Sequence, residues 1–163
     1  KSIKFEEKDV RPMGRSTTGV KGINLKKDDY VVSVENIPSD IEPPEDGRLK
    51  FCNDLLVIME NGIGKRTPIK KYPVQNRAGV GVKVAQISKK TGKVVNALWV
   101  NQNIKNIVVT SSKGQVIKLP LKNIPRLSRV TQGVILMRFK DKKDKVAAVT
   151  CLDKRKLQVE EEK

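Results

Sequence analysis

Residues 59–84 read MENGIGKRTPIKKYPVQNRAGVGVKV, and residues 109–139 read VTSSKGQVIKLPLKNIPRLSRVTQGVILMRF. Aligned on their glycines, they are two copies of one pattern. Gly62 and Gly114 each stand 15 residues before an arginine, Arg77 or Arg129, and each arginine leads four residues later into Gly-Val, at Gly81-Val82 and Gly133-Val134. Arg15-x-x-x-Gly19-Val20 is a third copy. The second and third arginines lie 52 residues apart (77 to 129) and the first two 62 apart (15 to 77). The ten extra residues fall in the Pro-rich, acidic IPSDIEPPEDGRLK, residues 37–50. A self-similar period of 20 to 50 or so residues signals a repeat architecture and takes precedence over individual elements.

Each copy carries the same run of strand-like segments. DLLVIMEN or NIVVTSSK precedes the first glycine, and KRTPIKKY or QVIKLPLK follows it, which predicts a hairpin with Gly at the turn. After Gly-Val come KGINL, KVAQI and ILMRF, then a charged turn and the Val-rich DDYVVSVENI, GKVVNALWV and DKVAAVTCL. Four strand-like runs per 52 residues predict an all-β, propeller-like array of four-stranded blades, two repeats complete and one partial. One domain over 1–163 is expected, with blades at about 1–37, 51–102 and 103–153, a linker at 38–50 and a charged tail at 154–163. In the first repeat the turn glycine would fall at position 0, so that copy lacks its opening strand. The exposed edges of such an open array predict self-association of the partial ring. Helical periodicity is absent, and LDKRKLQVEEEK reads as a short helix or a frayed tail.

Lys and Arg outnumber Asp and Glu by 34 to 18, for a formal charge of +16, so the surface seeks a polyanion. No apolar run of about 18 residues offers a membrane span, and no signal-peptide pattern opens the chain, so a soluble, cytoplasmic protein is expected. Cys52 and Cys151, each in an apolar run, read as small hydrophobes in a reduced compartment rather than a disulfide.

The densest basic cluster is Lys65, Arg66, Lys70, Lys71, Arg77, Lys83, Lys89 and Lys90. Any one of these could be a solvated charge, but together they point to phosphate contact. Arg15, Arg77 and Arg129 should emerge at equivalent points around the array, either to neutralise a backbone or to fix their own blades. Lys21 joins the DNA-binding candidates, with Arg11, Lys113, Lys118, Lys122 and Arg126 in second rank. Gly19, Gly81 and Gly133 read as structural, at points where a loop re-enters a strand. Neither a recognition helix nor an aromatic RNA-binding signature is visible, and at 4% aromatics the chain has few rings for stacking bases, so sequence-independent duplex binding is favoured.

Catalysis has little support. There is no His, which excludes His-dependent triads and His-ligated metals, and Gly62-x-Gly64-Lys65 lacks phosphate-loop spacing. Tyr30, Tyr72 and Trp99 read as packing residues. The pairs Asp28, Asp29 and Asp141, Asp144 read as solvated turn residues, so no metal and no cofactor are expected.

FEEKDVRPMGRSTTGVKGI (5–23) with the two stretches quoted first resembles consecutive repeats of the DNA gyrase A C-terminal domain, in particular the Gly62 to Thr67 and Thr131 to Val134 motifs. The resemblance covers nearly the entire chain and is to the latter half of that domain. It implies a β-pinwheel, in which neighbouring blades exchange strands and double-stranded DNA wraps a basic rim. It also implies a non-catalytic module whose partners are the ATPase B subunit of a type II topoisomerase, DNA gyrase, together with the remainder of the topoisomerase A subunit. The family's Gln-Arg-Arg-Gly-Gly-Lys-Gly box is not found; the nearest stretch, residues 75–83, reads QNRAGVGVK. A topoisomerase IV parent and a propeller used as a protein-interaction platform stand as alternatives.

Overall fold

The computed structural model describes residues 1–38 and 52–153. Apart from Pro38, the expected linker lies outside the described residues, as does the expected tail from 154 onward. Among the described residues seven strands form two antiparallel sheets: β1 (Asn53–Met59), β2 (Ile63–Pro68), β3 (Val94–Asn101), β4 (Ile104–Ser111), β5 (Val116–Pro120), β6 (Val134–Ile135) and β7 (Val146–Asp153). The sheet orders are β3-β1-β2-β6 and β5-β4-β7.

The first sheet is a four-stranded blade, but its fourth strand comes from the next repeat. β6 pairs with β2 through Ile63 with Ile135 and Gly64 with Val134. The same exchange recurs one junction earlier, where Ser2 and Val82 trade backbone hydrogen bonds at 2.8 and 2.7 Å. Ser2 and Gly64 are 62 residues apart and Val82 and Val134 are 52 apart, which is the repeat spacing. The parallel bridges Lys4 with Val74 and Arg66 with Arg126 obey the same arithmetic.

Alternation along β1 divides the core. Leu56 and Ile58 pack with Val100, Ile107, Val109, Ile124 and Met137, which joins the second and third repeats. Val57 and Met59 face the other way, toward Ile63, Tyr72, Val84 and Ala85. A strand buried on both faces reads as a continuous apolar run, as Leu55 to Met59 does.

Several strand expectations are corrected. KRTPIKKY and QVIKLPLK are strands only as far as Pro68 and Pro120, after which each turns into a 3-10 segment, Ile69–Lys71 or Leu121–Asn123. The equivalent Glu7–Asp9 turns likewise. Of the three segments after Gly-Val, only ILMRF touches a strand, at Ile135 of Val134–Ile135. DDYVVSVENI is not one either, because no opening strand lies beside it among the described residues. Tyr30 is consequently 60% exposed rather than packed, and Val31, Val32 and Val34 are exposed with it. Tyr72 is buried and Trp99 half-buried, its Nε1 donating to Asn53 Oδ1 at 2.9 Å.

The close approach of the exchanged strand explains two glycines. Gly133 has φ +100°, and a Cβ there would lie 2.6 Å from the Gly64 carbonyl oxygen; Gly81, at φ +67°, would press a Cβ into the Ser2 carbonyl. Both therefore need glycine twice over, for conformation and for space.

Candidate nucleic-acid interface

Lys65 is not a surface residue. It is fully buried, and its Nζ donates to the carbonyls of Ser128 (2.7 Å) and Arg129 (2.6 Å) and to Thr131 Oγ1 (3.3 Å). Burial and the Arg129 charge push its pKa down from 10.5 to about 8. The equivalent positions in the other repeats are Ile3 and Ile117, so the lysine occupies a site that is otherwise apolar. That register, visible in the sequence, is the signal that would have kept Lys65 off the surface.

Arg66 is withdrawn as well, its side chain 12% exposed. Its Nε donates to the Ile124 carbonyl at 2.8 Å and its Nη1 to Asp54 at 3.3 Å. Asp54 is fully buried and also receives Arg126, whose Nε and Nη2 reach its carboxylate at 2.9 and 2.6 Å. That pairing holds the Arg126 guanidinium above its usual pKa. Because Asp54 belongs to β1 and Arg126 to the third repeat, the carboxylate ties two blades together. Cys52 is buried beside it, its thiol pushed up by burial, while Cys151 is half-buried and pushed up to about 11.

The repeated arginines are latches. Arg77 donates to the Lys21 carbonyl at 3.1 Å and the Asp9 carbonyl at 3.0 Å, and Arg129 to the Lys83 carbonyl at 2.9 Å. Lys21 and Lys83 are each two residues past their repeat's glycine, so each arginine fixes the preceding blade rather than its own. Arg15 is exposed and makes no such bond among the described residues.

What remains available to a ligand is Lys70, Lys71, Lys21, Lys83, Lys89 and Lys90, all exposed, with Arg11, Lys118, Lys122 and, in part, Arg126. Lys113 is exposed but paired with Asp141. Asp144 is not the solvated turn residue expected: it is 5% exposed and accepts from Ser111 Oγ, Ser112 Oγ and the Lys113 and Lys145 amides. Among the described residues no group of three or more potential metal ligands occurs, and no helix is long and apolar enough to cross a membrane.

The structure brings forward a set that linear reading does not assemble. Lys8, Lys70 and Lys122 are the middle residues of the three 3-10 turns among the described residues, and all three are exposed. Their spacings, 62 and 52, are those of the repeat, yet Lys8 escapes notice in the sequence because it sits among Glu6, Glu7 and Asp9. Their ammonium groups bond to no protein atom among the described residues, so each is free to meet a phosphate.

Comparison with known proteins follows the same repeats. The model of a family described as the DNA gyrase C-terminal domain, beta-propeller, matches residues 1–38, 53–101 and 105–153. The DNA gyrase A protein of Staphylococcus epidermidis (strain ATCC 12228 / FDA PCI 1200) is 37% identical over 139 residues, 85% of this chain and 14% of that protein. Its counterpart in Staphylococcus aureus (strain MRSA252) is 36% identical over the same length, so the chain spans about a seventh of these curated relatives. A solved DNA gyrase A C-terminal domain superposes with a TM-score of 0.73 at 27% identity, over 91% of this chain and 46% of its own. The C-terminal domain of DNA topoisomerase IV gives 0.79 at 21% identity, over 97% and 46%, a likeness of fold.

Proposed function

Because the chain belongs to the DNA gyrase C-terminal domain family, we propose that it is a non-catalytic module that binds and wraps double-stranded DNA, supporting negative supercoiling by a topoisomerase whose cleavage and ATPase chemistry lies elsewhere. Its partners are then duplex DNA, the B subunit of the enzyme, and the remainder of the A subunit. The recurrence of an exposed lysine at Lys8, Lys70 and Lys122 carries the proposal, since it repeats a phosphate-neutralising group at the blade period on a chain of charge +16. Smoothly bending a duplex by 40 to 90° costs about 1 to 6 kcal/mol, so contacts distributed over an arc suit the task better than one strong site. Identity of 37% to a gyrase A protein favours that parent over topoisomerase IV. The outer edge of β5, unpaired among the described residues, favours association with further blades or with a second copy.

Fluorescence anisotropy on labelled duplexes tests the binding, and ligation of nicked circles in the presence of the chain tests the wrapping. With about six phosphates neutralised, log K should fall against log salt with a slope near −5, whatever the duplex sequence. A strong preference for one short sequence, or unshifted linking number at saturating protein, refutes wrapping.

A further inference from the structure

The two blade junctions share a backbone plan but not their charges. At the second junction, Lys71 closes the 3-10 turn of one blade, and Arg126, Leu127 and Ser128 come from the next. With Pro68 they line a recess of about 290 Å³. Its walls are held rigidly: the Leu127 amide donates to the Arg66 carbonyl at 2.8 Å, the Arg66 amide to the Pro125 carbonyl at 3.0 Å, and Thr67 Oγ1 to the Leu127 carbonyl at 3.0 Å. Arg126 uses Nε and Nη2 on Asp54, which leaves its Nη1 without a partner among the described residues and the side chain 40% exposed. The Lys65 ammonium lies behind the recess, on the Ser128 carbonyl.

The repeat register places Glu6, Asp9 and Val74 where this junction has Pro68, Lys71 and Arg126. The same bridge is present there, Lys4 with Val74, and the Gln75 amide donates to the Lys4 carbonyl at 2.7 Å. Two like-charged cations at one junction are thus answered by two carboxylates and an apolar residue at the other.

Building on the DNA-binding proposal, we infer that the recess between Lys71 and Arg126 seats a backbone phosphate of the duplex, whereas the first junction, with Glu6, Asp9 and Val74 at the matching positions, offers no second seat and leaves Lys8 as its one contact. A phosphate there meets the planar guanidinium edge of Arg126 and the Lys71 ammonium from two sides, which suits the strong geometry of charge-assisted hydrogen bonds. Asp54 neutralises only one of the two guanidiniums it touches, so the recess keeps a net positive field. Sequence readout plays no part, because the contacts are to the backbone.

Reciprocal charge swaps at two exposed turn positions test this. Lys71→Asp copies the first junction onto the second and Asp9→Lys does the reverse, each measured with the full chain and a labelled duplex across a salt series. Lys71→Asp should weaken binding roughly tenfold and flatten the salt slope by about 0.9, while Asp9→Lys should tighten binding and steepen the slope by a similar amount. Thermal melts of both variants, expected at the parent's midpoint, separate lost contact from lost fold. Parent-like affinity and slope for Lys71→Asp, with the parent binding duplex normally, overturn the seat and leave the wrapping proposal standing; a parent that binds no duplex overturns both. Inorganic phosphate provides the second arm: if it shifts the Leu127 and Ser128 amide resonances at submillimolar concentration and duplex does not displace it, the recess is a free-anion site and the inference fails.

Discussion

Replacing Lys65 separates a blade latch from a DNA contact. The ammonium makes three hydrogen bonds, two of them to backbone carbonyls of the neighbouring repeat. Hydrogen bonds to a charged donor contribute about 1.5 to 3 kcal/mol each, and the several kcal/mol needed to take an ammonium out of water offsets part of that sum. About 2 to 4 kcal/mol should therefore be lost in Lys65→Ala, which orphans both carbonyls and leaves a void. Lys65→Met keeps the stem volume and should lose less. In a domain of this size each kcal/mol moves the melting point by about 2 to 4 °C, so calorimetry should show Lys65→Ala melting about 5 to 15 °C lower. The pH dependence has a definite sign. The folded pKa, about 8, lies below the ordinary 10.5, so between those values the unfolded chain holds more of this proton than the folded one. The penalty for burying the charge is present below pH 8 and fades as pH rises toward 10.5, so the advantage of the parent over Lys65→Met should grow across that window, by at most about 1.4 kcal/mol per pH unit. Duplex affinity measured well below the melting point should stay near the parent's. An unchanged melting point with a large loss of DNA affinity would refute the latch.

Gly81→Ala places a Cβ against the Ser2 carbonyl at a positive φ, and should destabilise by more than the roughly 1 kcal/mol that a Gly-to-Ala change ordinarily gains, with DNA contacts in the folded protein unaltered; equal or higher stability in urea would count against the close approach. Asp54→Ala leaves the Arg66 guanidinium buried without its carboxylate and should cost about 3 to 5 kcal/mol, read as a lower urea midpoint, whereas Asp54→Asn should cost less; a midpoint equal to the parent's would show that the carboxylate does not tie the blades.

Fold was legible because the repeat is written in residues whose constraints are local and recur. Gly62, Gly81, Gly114 and Gly133 all have positive φ, and each marks a turn or a strand entry at the expected position. Strand ends were less legible. In KRTPIKKY the alternation runs on past Pro68, but proline cannot donate to the ladder and the chain turns there. DDYVVSVENI fails as a strand for a different reason, since strand propensity needs a partner and its blade supplies none among the described residues. The site was least legible: Lys65 and Arg66 look like a basic pair in any linear reading, and only the cross-repeat column of Ile3, Lys65 and Ile117 reveals that one of them points into a junction.

In a strand-exchanged array, a residue repeated at every blade can be kept by the junction as readily as by a ligand, because each closing segment lands on its neighbour. Arg77 and Arg129 recur for the first reason, and their guanidiniums lie on the carbonyls of Lys21 and Lys83. Lys8, Lys70 and Lys122 recur without any protein partner among the described residues, so the junction geometry does not account for them, which is why the proposed function rests on them. Columns where the repeats disagree carry a third kind of information. Asp9 against Lys71, and Val74 against Arg126, change the local charge while the backbone bridge is preserved. A surface that keeps its scaffold and changes its field from one junction to the next can grip a polyanion unevenly, and under the proposed wrapping function an uneven grip would give the duplex a defined point of strongest contact.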